Sequence, residues 1–171
     1  MSELYQEIYK LKNLERKGWH IRNISDNVTK RTESDAEHCF SMCLLALEII
    51  KKENLNLNIE KVLKMCLYHE LGEIDVGDIT PLDNVTKLEK HNAELNGVSR
   101  ISELSDMPEI KDIWLEFEEN KTIEAKFVKM IDKLDTVIQS KIYSDINNRP
   151  EVFEEFYCRA MPIIKDFKKY I

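Results

Sequence analysis

The sequence contains few residues that interrupt helices. Only 4 Gly and 4 Pro occur among its 171 residues, too few for a turn-rich β-sandwich. Strands that alternate with helices are also hard to find. Glu, Lys, Leu and Ile are abundant, and these residues favour helix over other conformations. The composition therefore predicts an all-α protein, and the length suits one domain that spans residues 1–171.

Long apolar runs are also missing. No stretch approaches the ~18 consecutive apolar residues that a membrane-spanning helix requires. The first ten residues, MSELYQEIYK, lack the apolar core of a secretion signal. We therefore expect a cytoplasmic protein that makes no contact with a membrane.

Basic residues are fewer than acidic ones, and the formal net charge is -7. A protein that binds nucleic acid broadly needs a basic face to neutralise phosphates, so this class is disfavoured. One local segment is basic, and it contains Arg16, Lys17, Arg22, Lys30 and Arg31. It is either a solvated loop or a site that binds a single phosphate.

The four cysteines form no Cys-x-x-Cys pair, which disfavours a cysteine-based zinc site. Cys39 and Cys43 are spaced to share one face of a helix. Without a secretion signal, we expect all four cysteines to be reduced thiols in the core.

The spacing of apolar residues predicts a compact bundle of about six helices. Ser34 or Asp35 can cap the second helix, and Glu37 completes a capping box with Ser34. Asn58 can cap the third helix, and Pro162 is expected to bend or break the last one. The predicted segments are about 4–16, 35–52, 59–71, 84–104, a short helix after Pro108, 122–144 and a C-terminal helix over 150–170. Residues 23–34 and 72–83 are predicted to be loops.

His69 and Glu70 form the first candidate site. They lie at the C-terminal end of an apolar helix, beside a loop that contains glycine and the acids Glu73, Asp75 and Asp78. Neighbouring side chains diverge by ~100° inside a helix, but they can converge at its end. Acids at a helix C-terminus oppose the helix dipole, which favours a nearby cation. The alternative is an exposed acidic loop.

His38, Asp132 and Asp135 are further candidates for a metal site. His38 lies near the start of its helix, while both aspartates fall within an apolar helix, where an unpaired buried carboxylate is costly. Imidazole and carboxylate together suit Mn, Fe, Co, Ni or Zn. Helical periodicity places Asp135 closer to the apolar stripe than Asp132. His20 is expected to be exposed or near the substrate rather than a ligand, and His91 is expected on a solvated helix face.

These residues together resemble a known family. The segments GWHIRNI, SDAEH, YHELGEIDVGDITP and VKMIDKLDTVIQSKIY are similar to those of HD-domain metal-dependent phosphohydrolases, in the branch of the 5′-deoxynucleotidases. The similarity covers about residues 12–143. It implies a helical HD domain that hydrolyses deoxyribonucleoside 5′-monophosphates, uses one divalent transition metal and forms a homodimer.

The resemblance also implies a role for individual residues. His38, His69, Glu70 and Asp132 match the metal ligands, which favours Asp132 over Asp135. Glu73 matches an acid that positions or activates the attacking water, and Asp78 matches a second acid near the scissile phosphate. The substrate-binding candidates are Trp19, which matches an aromatic residue near the sugar, and the basic residues Arg16, Lys17 and Arg22.

Two positions depart from the family pattern. Glu70 stands where Asp is usual, and a side chain one methylene longer still offers a carboxylate. Gly18 stands where some members carry Arg, so the phosphate contact falls to Arg16, Lys17 or Arg22. Two alternatives remain open: a hydrolase of another phosphorylated nucleotide (triphosphate, alarmone or cyclic), or a non-catalytic metal-binding module.

Overall fold

The structure, a computed structural model, describes residues 2–80 and 83–171. Within these residues it is a bundle of helices without β-strands, and the single isolated β-bridge joins Glu15 to Ser34. The helices are α1 (Glu3–Asn13), α2 (Lys17–His20), α3 (Asp35–Lys52), α4 (Ile59–Tyr68), α5 (Glu73–Val76), α6 (Lys87–Ser105), α7 (Glu109–Glu119), α8 (Ile123–Asn147), α9 (Pro150–Ile164) and a 3-10 helix at Lys165–Tyr170.

Local sequence signals explain where several helices begin. The hydroxyl of Ser34 accepts a hydrogen bond from the backbone of Glu37, whose carboxylate accepts one from the Ser34 amide, so a complete capping box starts α3. The side chain of Asn58 caps α4, and Pro150 occupies the first turn of α9. These starts were predicted from the sequence.

Helix α8 runs through the main core. Its buried residues Val128, Ile131 and Leu134 pack in one apolar cluster with residues from α3 and α4. A second cluster, which includes Trp114 and Val98, lies where α6 and α7 meet α1. Because α3, α4 and α8 share a core, the polar side chains that they carry can meet at one end of it.

The prediction of about six helices omitted two single turns, α2 and α5. Helix α5 lies in the segment 72–83 that was predicted to be a loop, and its last turn ends at Gly77, which adopts a positive φ of 78°. Pro81 of that predicted loop lies outside the described residues. Helix α9 continues for two residues past Pro162 before it changes to a 3-10 helix. In the described part of the chain, each helix is too short or too polar to cross a membrane.

The cysteines are all free, but they are not all in the core. Cys39 and Cys66 are buried and Cys43 is partly buried, whereas Cys158 is exposed on α9. The prediction of four core thiols is therefore wrong for Cys158.

Candidate metal centre

His69 and Glu70 directly follow the last residue of α4. His69 occupies the C-cap position, and its backbone carbonyl accepts a hydrogen bond from the indole of Trp114 at 3.2 Å. Its ring Nδ1 lies 3.0 Å from the carbonyl oxygen of Cys66. Since that oxygen only accepts, Nδ1 carries a proton, so the nitrogen that can offer a lone pair to a metal is Nε2. Nε2 of His69 lies 3.3 Å from Oε1 of Glu70.

His38 approaches the same point from the first turns of α3. Its Nδ1 lies 2.7 Å from Oδ2 of Asp135, and its Nε2 lies 3.4 Å from Oδ1 of Asp132 and 3.8 Å from Oε1 of Glu70. The two aspartates of α8 therefore contact opposite nitrogens of one ring. Both are buried, which accounts for the ambiguity of the helical periodicity.

The donor atoms fit a divalent cation. His38, His69 and Glu70 each place one ligand atom within 4.8 Å of the others. Nε2 of both histidines is buried and has no hydrogen-bond partner in the described residues. An unpaired buried nitrogen is costly, whereas an imidazole with a free Nε2 is the usual form of a metal ligand. The cluster can hold a divalent metal, with Asp132 next to it.

The charges in the cluster attract a positive ion. Burial and the charge of Arg16 lower the pKa of His38, but its contacts with the carboxylates of Asp132 and Asp135 outweigh them and raise it to about 9. Burial raises the pKa of Glu70, yet the charges of His69 and Arg16 hold it well below its ordinary value. Glu70 therefore stays ionised, and its charge is balanced either by protons on the histidines or by a metal ion.

Glu73 and Asp78 flank the cluster. Glu73 is buried in the single turn of α5, and its Oε2 has no partner in the described residues. Burial, followed by the charge of Glu70, raises the pKa of Glu73 to about 10. Asp78 accepts a hydrogen bond from the backbone amide of Lys17 at 2.7 Å, and its charge also raises the pKa of Glu73. The two predicted catalytic acids thus lie close to each other.

Two of the predicted substrate residues border the cluster. Arg16 donates to Glu70 at 2.9 Å and lies 3.5 Å from Asp35. Burial lowers the pKa of Arg16, but the charges of these two carboxylates raise it overall. Lys17 pairs through its ammonium with Asp83.

The other two predicted substrate residues have partners elsewhere. Trp19 is 1% exposed and packs edge-on against Tyr143, while its indole donates to Glu33 at 2.9 Å. Arg22 forms an ion pair with Glu155 of α9. The structure therefore does not place Trp19 or Arg22 among the free groups beside the two histidines.

Several residues near the cluster were not singled out from the sequence. Asp35 was interpreted only as a possible cap, yet its side chain is fully buried beside Arg16, and its Oδ2 has no partner in the described residues. Lys133 lies 2.9 Å from Asp132, with its side chain 47% exposed. Lys90 lies 3.1 Å from Glu73. Lys90 and Lys133 lie far along the chain from both histidines, whereas Asp35 lies only three residues before His38 and was missed because it was interpreted as a cap.

The remaining histidines lie apart from this cluster. His20 is exposed and pairs with Glu15 at 2.9 Å, as expected. His91 was expected on a solvated face, but it is only partly exposed, because its ring packs 5.3 Å from that of Trp114.

The sequence profile of the HD domain family matches residues 8–170. The chain belongs to this family. The 5′-deoxynucleotidase HDDC2 of Danio rerio is 36% identical over 160 residues, which cover 92% of this chain and 76% of the relative. Its counterpart in Homo sapiens is 35% identical over 150 residues, which cover 86% and 70%. Both relatives carry the name 5′-deoxynucleotidase.

The fold also matches that of solved structures. A conserved hypothetical protein from Pyrococcus furiosus superposes with a TM-score of 0.74 at 29% identity, over 99% of both chains. The all-α HD domain predicted from the sequence is therefore confirmed.

Proposed function

We propose that this HD-domain protein is a metal-dependent 5′-deoxynucleotidase. It hydrolyses a deoxyribonucleoside 5′-monophosphate to a deoxynucleoside and inorganic phosphate. The observation that carries the proposal is the convergence of the unpaired Nε2 atoms of His38 and His69 on the carboxylate of Glu70. The names of the relatives in Danio rerio and Homo sapiens support the choice of substrate.

The metal ligands in this proposal are His38, His69, Glu70 and Asp132. Two imidazoles and two carboxylates suit Mn, Co, Zn, Fe or Ni, of which one ion is bound. Such an ion supplies Lewis acidity, which lowers the pKa of water and polarises a phosphate oxygen. Asp135 holds the His38 ring in the tautomer that leaves Nε2 free for the ion.

Glu73 and Asp78 are the catalytic acids of the proposal. Glu73 orients or deprotonates the attacking water through its Oε2. A cation beside Glu70 would offset the charge that raises the pKa of Glu73 and so would free this carboxylate to accept a proton. The oxygen of that water forms the new bond to phosphorus as the bond to the 5′ oxygen breaks. The leaving oxygen then needs one proton, which is the one that Glu73 removes from the water. Asp78, anchored by the amide of Lys17, is the acid that would pass it on.

Cations near the cluster offset the charge of the phosphate. Arg16 is the best placed of the predicted basic residues, because it already contacts Glu70. Lys17 lies next to it and can exchange Asp83 for the substrate. Arg22 and Trp19 complete the predicted binding set. To reach the substrate, Arg22 must break its ion pair with Glu155, and Trp19 must break its hydrogen bond to Glu33.

The test is phosphate release from a panel of deoxyribonucleoside and ribonucleoside 5′-monophosphates, with Mn or Co added to protein stripped of metal. We expect release from the deoxy substrates that depends on the metal and is lost in His69→Ala. Release of pyrophosphate or triphosphate from other nucleotides would instead assign a different substrate class. A protein that binds the metal in full and remains inert would show a non-catalytic module.

We also propose that the protein acts in the cytoplasm as a homodimer. Phe40, Leu44 and Leu47 are exposed at helical spacing on α3, and such an apolar stripe suits a contact between two copies. Analytical ultracentrifugation of the purified protein tests the dimer, and a single species with the mass of one chain would contradict it.

A further inference from the structure

Lys90 of α6 holds three acceptors at once. Its ammonium lies 3.1 Å from Oε1 of Glu73, 3.2 Å from Oε1 of Glu94 and 2.9 Å from the backbone carbonyl oxygen of Ile79. An ammonium has three N–H donors, so these partners saturate it. A saturated ammonium is better suited to holding protein groups in place than to binding an incoming phosphate.

The partners of Lys90 belong to two pieces of the candidate site. Glu73 is part of α5, whereas Ile79 directly follows Asp78 in the segment after Gly77. Gly77 turns the chain with a left-handed φ, so the backbone between the two acids is not helical throughout. The contacts of Lys90 bridge this turn and fix the separation of the two acids.

Helix α6 also holds α5 at two other points. A Cβ atom on Gly97 would lie 2.9 Å from the carbonyl oxygen of Gly72, so the two backbones are in direct contact. Arg100 donates to both carboxylate oxygens of Asp75 at 2.8 Å. Since α5 is a single turn with little stability of its own, its position depends on these contacts with α6.

We propose that Lys90 is a positioning residue for the hydrolysis, which holds Glu73 and the Asp78 segment in the geometry that the reaction requires. This inference rests on the proposed function. The simpler interpretation is an ordinary ion pair that contributes only to stability.

The chain offers a closely matched control. Lys61 of α4 lies 3.1 Å from Glu116 of α7, and its side chain is 32% exposed, compared with 33% for Lys90. Each lysine therefore forms one ion pair of the same length with a carboxylate of another helix, and the two side chains are equally exposed. Lys90 differs by its added contacts with Glu94 and Ile79. Glu116 is not part of the candidate site, so the two variants differ mainly in what the lysine holds.

The experiment compares Lys90→Met, Lys90→Arg and Lys61→Met with the metal-loaded wild-type protein. We expect Lys90→Met to lower kcat between about 10- and 100-fold with little change in KM, because a small displacement of a catalytic group costs about this much. Lys90→Arg, which keeps charge and donors, recovers part of kcat. Lys61→Met retains the wild-type kcat, and the bound metal is the same in all variants.

Hydrogen exchange measured by mass spectrometry supplies a readout besides activity. Amides of residues 73–80 should exchange faster in Lys90→Met but not in Lys61→Met. Three results for Lys90→Met would each overturn the positioning role. They are an unchanged kcat, unchanged exchange of residues 73–80, and exchange that is equally faster throughout α3 and α8. A wild-type protein that releases no phosphate would refute the proposed function itself, while the exchange data would still decide whether Lys90 fixes the segment.

Discussion

The two ring nitrogens of His38 have different surroundings, and this difference separates Asp132 from Asp135. Nδ1 contacts Asp135 at 2.7 Å, whereas Nε2 faces Asp132 and the carboxylate of Glu70. A carboxylate that accepts from the far nitrogen of a ligating imidazole orients the ring and increases its basicity. The structure thus places the two aspartates on opposite nitrogens of the His38 ring, and our proposal gives them different roles.

Substitution of the two aspartates tests these positions. We expect Asp132→Asn to lose most of its metal, because a ligand charge disappears. Asp135→Asn should keep the metal with an affinity about 10- to 100-fold weaker, since only the orientation of His38 is disturbed. Titration with Mn or Co and elemental analysis measure both.

Asp145→Asn is the control, because this exposed aspartate of α8 pairs only with Lys141 in the described structure. Metal loss in Asp135→Asn together with full binding in Asp132→Asn would reverse the assignment.

Hydrogen bonds at the start of α3 stabilise the helix turn that carries His38. Ser34 and Glu37 form the capping box there, and Arg31 also pairs with Glu37. The hydrogen bond from Arg31 lowers the pKa of Glu37, burial opposes it, and bonds from Ser34 lower it further, to about 2. The ionised Glu37 therefore stabilises the first turn of the helix from which His38 projects.

A pH dependence of stability follows. The pKa of Glu37 falls from 4.5 to about 2 on folding, so its contribution is complete above about pH 4.5 and is lost as the pH falls toward 2. The side chain is 47% exposed, so the contribution is about 1 kcal/mol or less. Urea unfolding should show a deficit for Glu37→Gln at pH 7 that shrinks at pH 3.

Glu48→Gln removes an equally exposed carboxylate from the same helix and serves as the control. A deficit for Glu37→Gln that grows as the pH falls would contradict the lowered pKa.

Taken as a whole, the molecule buries many acids in one region. Asp35, Glu70, Glu73 and Asp132 are all buried around the two histidines, and Arg16 pairs with two of them, Asp35 and Glu70. Burial and the charge of Glu70 raise the pKa of both Asp35 and Glu73, so crowding these acids costs free energy of folding, and a divalent ion relieves the repulsion. Metal binding should therefore stabilise the entire domain.

The expected result is a rise in Tm when Mn or Co is added and a fall when EDTA removes it. An ion at 100 times its Kd adds about 2.7 kcal/mol to the free energy of unfolding. Differential scanning calorimetry measures the shift. His69→Ala should lose it, whereas His91→Ala, which alters a histidine packed on Trp114, should keep it. Equal shifts in both variants would place the ion elsewhere.

Local interactions explain which features of the fold could be predicted from the sequence. Helix starts at Ser34, Asn58 and Pro150 depend on groups within about four residues, so the sequence shows them directly. The single turn α5 was missed because its own residues favour helix weakly and contacts with α6 hold it. The family resemblance, rather than periodicity, indicated Asp132.

By itself, the sequence determined the all-α class, most of the helix boundaries, the family and the pair His69 and Glu70 at a helix end. Only the tertiary structure decided which nitrogen of His38 stays free, since Asp135 lies 97 residues away. It also decided that Trp19 is buried and that Lys90 spans two parts of the site. Caps and periodicity act within a few residues, whereas these contacts arise from the packing of helices far apart in the chain.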